Sequence, residues 1–230
     1  MSDAPAGLLR RYAAWSLDMA LLSAVAGLAS LERIGEATAR AREASEALVA
    51  TMARSMLDGL AQGGTPLELA QAWLSDPGPR RLVTALAEAI GDAVFVPLLL
   101  LAALALAWST LWEGGARQAT PGKQALGLRV VTVSGGRLGM ARAAGRHLAG
   151  ALSWLTLNIG HLLALAPPQY QALHDRIAGT RVVCAHPEPG LPGWARAWLA
   201  LQAVAMLAAL AWLFVAMQAA MQRAFDALLF

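Results

Sequence analysis

AVFVPLLLLAALALAWSTLW, residues 93–112, runs for twenty residues without a single charge. A hydrocarbon core about 30 Å thick takes about 20 apolar residues of helix to cross. The stretch therefore reads as a bilayer span, and it decides the class of the chain. Two further segments pass the same test. Tyr12–Leu31 is apolar except for Ser16, Ser23, Ser30 and Asp18, and Trp198–Met217 has Gln202 as its one polar member. Trp194, Trp198 and Trp212 are spaced to mark a membrane–water interface. Leu148–Ala166 is long enough but is interrupted by Asn158, Gly160 and His161, so it reads either as a whole span or as a hairpin that turns back at Asn158–Gly160.

Composition agrees with a membrane protein. Of 230 residues, 57% are hydrophobic and 14% charged, with a mean hydropathy of +0.50; soluble domains carry about a quarter charged residues. The net charge of +3 is too small and too unevenly spread for a nucleic-acid binder. One cysteine, Cys184, excludes an internal disulfide and a cysteine metal cage. The first span superficially resembles a cleaved signal, since Arg10 and Arg11 precede it and Ala24-Val25-Ala26 has the form of a peptidase site. Asp18 argues for a retained anchor, because an aspartate at mid-span costs about 2.5–3.5 kcal/mol on insertion.

Charge distribution gives an orientation and an organisation. Residues 32–92 carry six arginines against nine acids, whereas residues 113–147 carry six cations against Glu113 alone. By the positive-inside rule the N-terminus and 113–147 are expected in the cytoplasm and 32–92 outside. Within 32–62, Ile34, Ala37, Ala41, Ala44, Leu48, Met52 and Met56 recur at three- and four-residue steps, the pattern of an amphipathic helix. Thr65-Pro66-Leu67-Glu68 has the form of a capping box opening a short helix to about Leu74. Asp76-Pro77-Gly78-Pro79 reads as a turn, with a helix from about Arg80 into the second span. This insert is expected either to pack on itself or to bind a partner, with Trp73 as an anchor.

Leu128–Val133 and Thr180–Val183 are β-branched runs, the first followed by the turn Ser134-Gly135-Gly136-Arg137. They pair only if both lie on one side of the membrane, which favours the hairpin reading of 148–166. The expected fold is an all-α polytopic membrane protein. It has three to four transmembrane helices, a membrane-embedded or hairpin segment, a helical external insert and a two-stranded cytoplasmic ribbon.

Four ordered blocks resemble the RDD family of membrane proteins: Arg11 to Asp18; Trp112-Glu113-Gly114-Gly115 with Thr120-Pro121-Gly122-Lys123-Gln124-Ala125-Leu126-Gly127-Leu128-Arg129-Val130-Val131; Arg142 with Arg146; and Leu173-His174-Asp175-Arg176-Ile177-Ala178-Gly179-Thr180-Arg181-Val182-Val183. The family's usual glycine and glutamine before Thr-Pro-Gly-Lys is altered here to Gly115-Ala116-Arg117-Gln118-Ala119. The resemblance implies that Arg11, Asp18 and Asp175 are the arginine and two aspartates of the family name. It covers about 8–31 and 93–184, giving a membrane domain over 8–184 interrupted by the insert 32–92, a linker over 185–197 and an added C-terminal span over 198–217. Proposals of sodium/proton antiport in the family make cation transport one expectation.

The candidate polar site is Arg11, Asp18, Arg146 and Asp175. Asp18 leads it, because an ionisable group at membrane depth pairs internally or lines an aqueous path. Arg146 and Arg176 are possible partners for Asp18, while Arg11, two turns down the same helix, is expected to snorkel to the interface. Thr120, Pro121, Gly122 and Lys123 are not a phosphate loop, since the glycine spacing and the following Ser or Thr are missing. They are expected to start an interfacial helix with Lys123 among lipid headgroups. His174 and Arg176 complete the cytoplasmic motif, and Asp175 is expected to cap or to bridge to Arg176, Arg142 or Arg146. His161 is expected at the hairpin turn or on a polar path with Asp18. Scattered histidines and the absence of nucleophile–base or dinucleotide motifs argue against a metal site, a cofactor and an enzyme. Two functions stand: a small cation/proton transporter using Asp18, or a scaffold that binds a partner through the insert or its basic face. The expected surroundings are a bacterial-type inner membrane and its lipid bilayer, with a second copy or another membrane protein as partner and no nucleic acid.

Overall fold

The computed structural model of the protein describes residues 4–155, 158–185 and 190–229. They form two compact units, residues 1–18 with 109–230, and residues 19–108. Three helices are long and apolar enough to cross a membrane: α1 (Leu8–Ala29), α4 (Pro77–Gly114) and the last helix, α9 (Gly193–Leu229). Each begins earlier than its apolar run, because the polar first turns of a helix carry no hydropathy signal.

The 19–108 unit contains α2 (Leu31–Ala61) and α3 (Pro66–Ser75). The capping box is present: Thr65 Oγ1 accepts from Glu68 N, and Glu68 Oε2 accepts from Thr65 N at 2.8 Å. Asp76-Pro77-Gly78-Pro79 differs from the expected turn, since α4 starts at Pro77 itself. A helix leaves its first N–H groups without partners, so prolines at the first and third positions forfeit nothing there. Asp76 Oδ1 accepts from Gly78 N at 2.8 Å and covers the proton between them. Trp73 donates from Nε1 to Ser55 Oγ at 2.6 Å, which ties α3 to α2.

The other unit holds α5 (Pro121–Ala125), α6 (Met140–Leu155), α7 (Ile159–Leu162), a 3-10 turn at Leu163–Leu165 and α8 (Leu173–Ala178). Strands β1 (Leu128–Thr132) and β2 (Thr180–Cys184) pair antiparallel with Val130 opposite Val182. The β-branched runs thus form the expected ribbon, and the chain before α1 joins it through Ala6 N to Val182 O and Cys184 N to Ala4 O. Leu126, Leu128, Val130, Val182, Ala13 and Ala14 belong to one buried cluster, so the ribbon packs on the first turns of α1. The 148–166 stretch is not one helix: α6 ends at Leu155 and Asn158 takes a left-handed conformation, φ 65°. Gly179, φ 62°, ends α8 and turns the chain directly into β2.

Candidate functional site

Five charged side chains from five parts of this unit form one buried chain of ion pairs. Arg11 on α1 donates from Nη1 to Asp175 Oδ2 at 2.8 Å. Arg146 on α6 donates from Nε to Asp175 Oδ1 at 2.9 Å and from Nη1 to Glu113 Oε2 at 2.6 Å. Lys123 on α5 donates to Glu113 Oε1 at 2.6 Å. Asp175 is fully buried and Glu113, at the end of α4, is 1% exposed. Buried charges persist only when paired and hydrogen-bonded, and this order, cation–anion–cation–anion–cation, pairs every member.

Each group is fixed by further bonds. Asp175 also accepts from Ala172 N and Thr180 Oγ1, so it caps α8 while binding two arginines. Burial acts to raise the Asp175 carboxyl; Arg146 and Arg11 override it and hold the group well below the usual carboxylate range. Burial likewise acts to lower the Arg146 guanidinium, and Glu113 with Asp175 raise it. Arg11 does not snorkel. Its Nε donates to Ala6 O at 3.0 Å and Nη2 to Tyr170 O at 2.8 Å, fastening α1 to the chain that leads into α8. Buried acceptors within reach of the guanidinium take up its donors in place of the interface.

Asp18, 5% exposed, accepts from Thr120 Oγ1 at 2.5 Å and from Gly122 N at 2.8 Å. Arg146 is bound to Glu113 and Asp175 instead of Asp18. Every residue of Thr120-Pro121-Gly122-Lys123 has a part. Pro121 opens α5 where no N–H is needed. Gly122 is required by contact: a Cβ there would run into the Ala14 carbonyl and lie 2.9 Å from Asp18 Oδ2. Lys123 points inward to Glu113, its side chain 13% exposed, and so does not lie among headgroups.

His174 sits beside the chain, its Nε2 3.2 Å from Arg146 Nη2 and its ring 5.2 Å from that of His161. Since Arg146 can only donate, Nε2 accepts and the imidazole is neutral. Burial, reinforced by Arg146, pushes His174 down to about 3. His161 thus faces His174 from the broken 159–165 segment. Arg176 is exposed and takes no part in the chain. Among the described residues no group of three or more His, Cys, Asp or Glu is placed to hold a metal ion. On the far side of α1, Ser16 Oγ accepts from Trp198 Nε1 and Gln202 Nε2, both at 3.1 Å, which docks α9.

Glu113 is the central residue that sequence reading passed over. Its signal was present: it is the one acid in 113–147, among six cations.

Residues 5–179 match the RDD family. The chain belongs to this family. The matched range takes in Arg11, Asp18, Glu113, Lys123, Arg146 and Asp175, and α9 lies outside it. Family and apolar helices together make it a membrane protein. It is similar to the uncharacterized protein YxaI of Bacillus subtilis (strain 168), 34% identical over 90 residues, or 39% of this chain and 59% of that protein. The chain thus covers less than two thirds of that relative. No solved structure matches it.

Proposed function

We propose that this RDD protein is a non-catalytic scaffold of a bacterial-type inner membrane, whose buried charges build the structure and whose 32–92 insert meets a membrane-protein partner. The observation that carries the reading is the commitment of the three buried carboxylates. Asp175 and Glu113 each receive two cations, and Asp18 accepts from the Thr120 hydroxyl at one oxygen and from the Gly122 backbone N–H at the other. A transported ion has to displace a ligand at every cycle, and here that means breaking fixed donors. The insert supports the partner: Val49, Leu57, Leu67 and Leu74 are 66–77% exposed and offer apolar surface for another protein to cover. The start of α1, the end of α4 and the start of α9 fall in one unit with the ribbon, which with the positive-inside rule favours a cytoplasmic N-terminus.

One observation favours transport by sodium/proton exchange: Asp18 is buried within an apolar helix long enough to span. Proton and sodium flux across liposomes carrying the purified protein decides between the readings. The scaffold predicts flux equal to that of empty liposomes for wild type and Asp18→Asn alike. Flux that wild type carries and Asp18→Asn loses would replace it with the transporter.

A further inference from the structure

We propose that the ribbon end of the 1–18 and 109–230 unit is a binding surface for the phosphate of anionic phospholipid headgroups. The unit segregates its charge. Every carboxylate in it whose side chain is described, Asp18, Glu113 and Asp175, is at most 5% exposed. The cations that face them, Arg11, Lys123 and Arg146, are drawn inward too. What remains outside is arginine: Arg117, Arg137, Arg142, Arg176 and Arg196 are exposed. Arg137, Arg142, Arg176 and Arg196 form no ion pair among the described residues.

Their placement selects the ligand. Arg117 follows the end of α4 at Gly114, Arg196 lies in the first turn of α9 and Arg142 in the first turn of α6. Arg10, near the start of α1, donates from Nη2 to Gly190 O, which holds the approach to α9 beside it. The ends of three span-length helices therefore share one side, and headgroup phosphates lie at that depth. Guanidinium matches phosphate with paired N–H donors, and basic residues beside a span attract anionic lipid in a salt-dependent way. Arg223 is about 45 Å along α9 from Gly193 and belongs to the other end. The proposal holds whether or not the protein moves an ion.

The test follows thermal unfolding of the purified full chain in neutral detergent, with added short-chain phosphatidylglycerol, phosphatidylcholine or inorganic phosphate. Phosphatidylglycerol is expected to raise the midpoint by several degrees, an effect lost in high salt, while the other two leave it in place. Arg137→Gln/Arg142→Gln/Arg196→Gln should unfold at the wild-type midpoint without lipid and lose at least half of the gain. An equal response to phosphatidylcholine would show acyl-chain binding, an equal response to phosphate would show a free-anion site, and an unchanged gain in the triple variant would place the lipid elsewhere. Each overturns the proposal.

Discussion

The two units use charge in opposite ways. In the 1–18 and 109–230 unit, ion pairs have side chains between 0 and 13% exposed and connect residues up to 164 positions apart. In the 19–108 unit the described pairs are Arg40–Asp92, with side chains 53% and 42% exposed, and Arg42–Glu46, at 82% and 68%. The cores differ in the same sense. The first buries Leu126, Leu128, Val130, Val131, Val182 and Val183, whereas among the described residues the buried apolar ones of the second are Leu22 and five alanines. One unit locks its described carboxylates inside; the other leaves most of its larger apolar side chains at the surface.

This contrast is broken most easily at Arg146. Arg146→Gln takes one of its two cations from Glu113 and from Asp175 at once, leaving only Lys123 and Arg11 to pair them, and removing one partner of a buried pair costs about 3–5 kcal/mol. The detergent-solubilised protein should lose its cooperative thermal transition or unfold far earlier, with Arg146→Lys between the two. A wild-type midpoint for Arg146→Gln would mean that the cluster is not buried as described.

His174 makes the stability of the buried unit depend on pH. Its folded value of about 3 lies below the ordinary 6.5, so between these values the unfolded chain binds a proton that the folded chain does not. The stability linked to it is full above pH 6.5 and falls as pH drops toward 3, by about 2 kcal/mol at pH 5. Unfolding midpoints from pH 8 to 5 should fall in wild type, and His174→Gln should flatten that slope. The same slope in both would assign it to another group.

Gly122→Ala tests whether the Asp18 contact needs close backbone approach. The added methyl should force α5 off α1 at a cost of about 1–3 kcal/mol, read as an earlier thermal midpoint, while Gly139→Ala, where a Cβ meets nothing within 4 Å, should change little. The smallest effect is expected in the other unit. Arg40→Ala should cost less than about 1 kcal/mol, since exposed pairs contribute little; a loss as large as that of Arg146→Gln would mean that the two units do not differ in how they use charge.

The legible parts of this molecule were those written locally. Twenty apolar residues announce a span, Thr65 to Glu68 announce a cap, and two β-branched runs announce strands. Asp18 was conspicuous because a carboxylate in an apolar run is costly. The pairings were not legible, because Arg11 and Asp175 are 164 residues apart and no periodicity connects them. Lys123 read as a headgroup contact because its partner, Glu113, lies ten residues back across a loop and not at helical spacing. Pro77 and Pro79 read as a turn because proline both breaks helices and begins them.

A double-mutant cycle on Arg11 and Asp175 tests most directly whether the buried charges are structural bonds. Thermal stability in detergent is measured for Arg11→Gln, Asp175→Asn and the double variant. The structure predicts that the double variant is more stable than the sum of the single losses implies, with a coupling of about 2 kcal/mol. Strict additivity would mean that Arg11 and Asp175 do not hold each other, and would contradict the account at its centre.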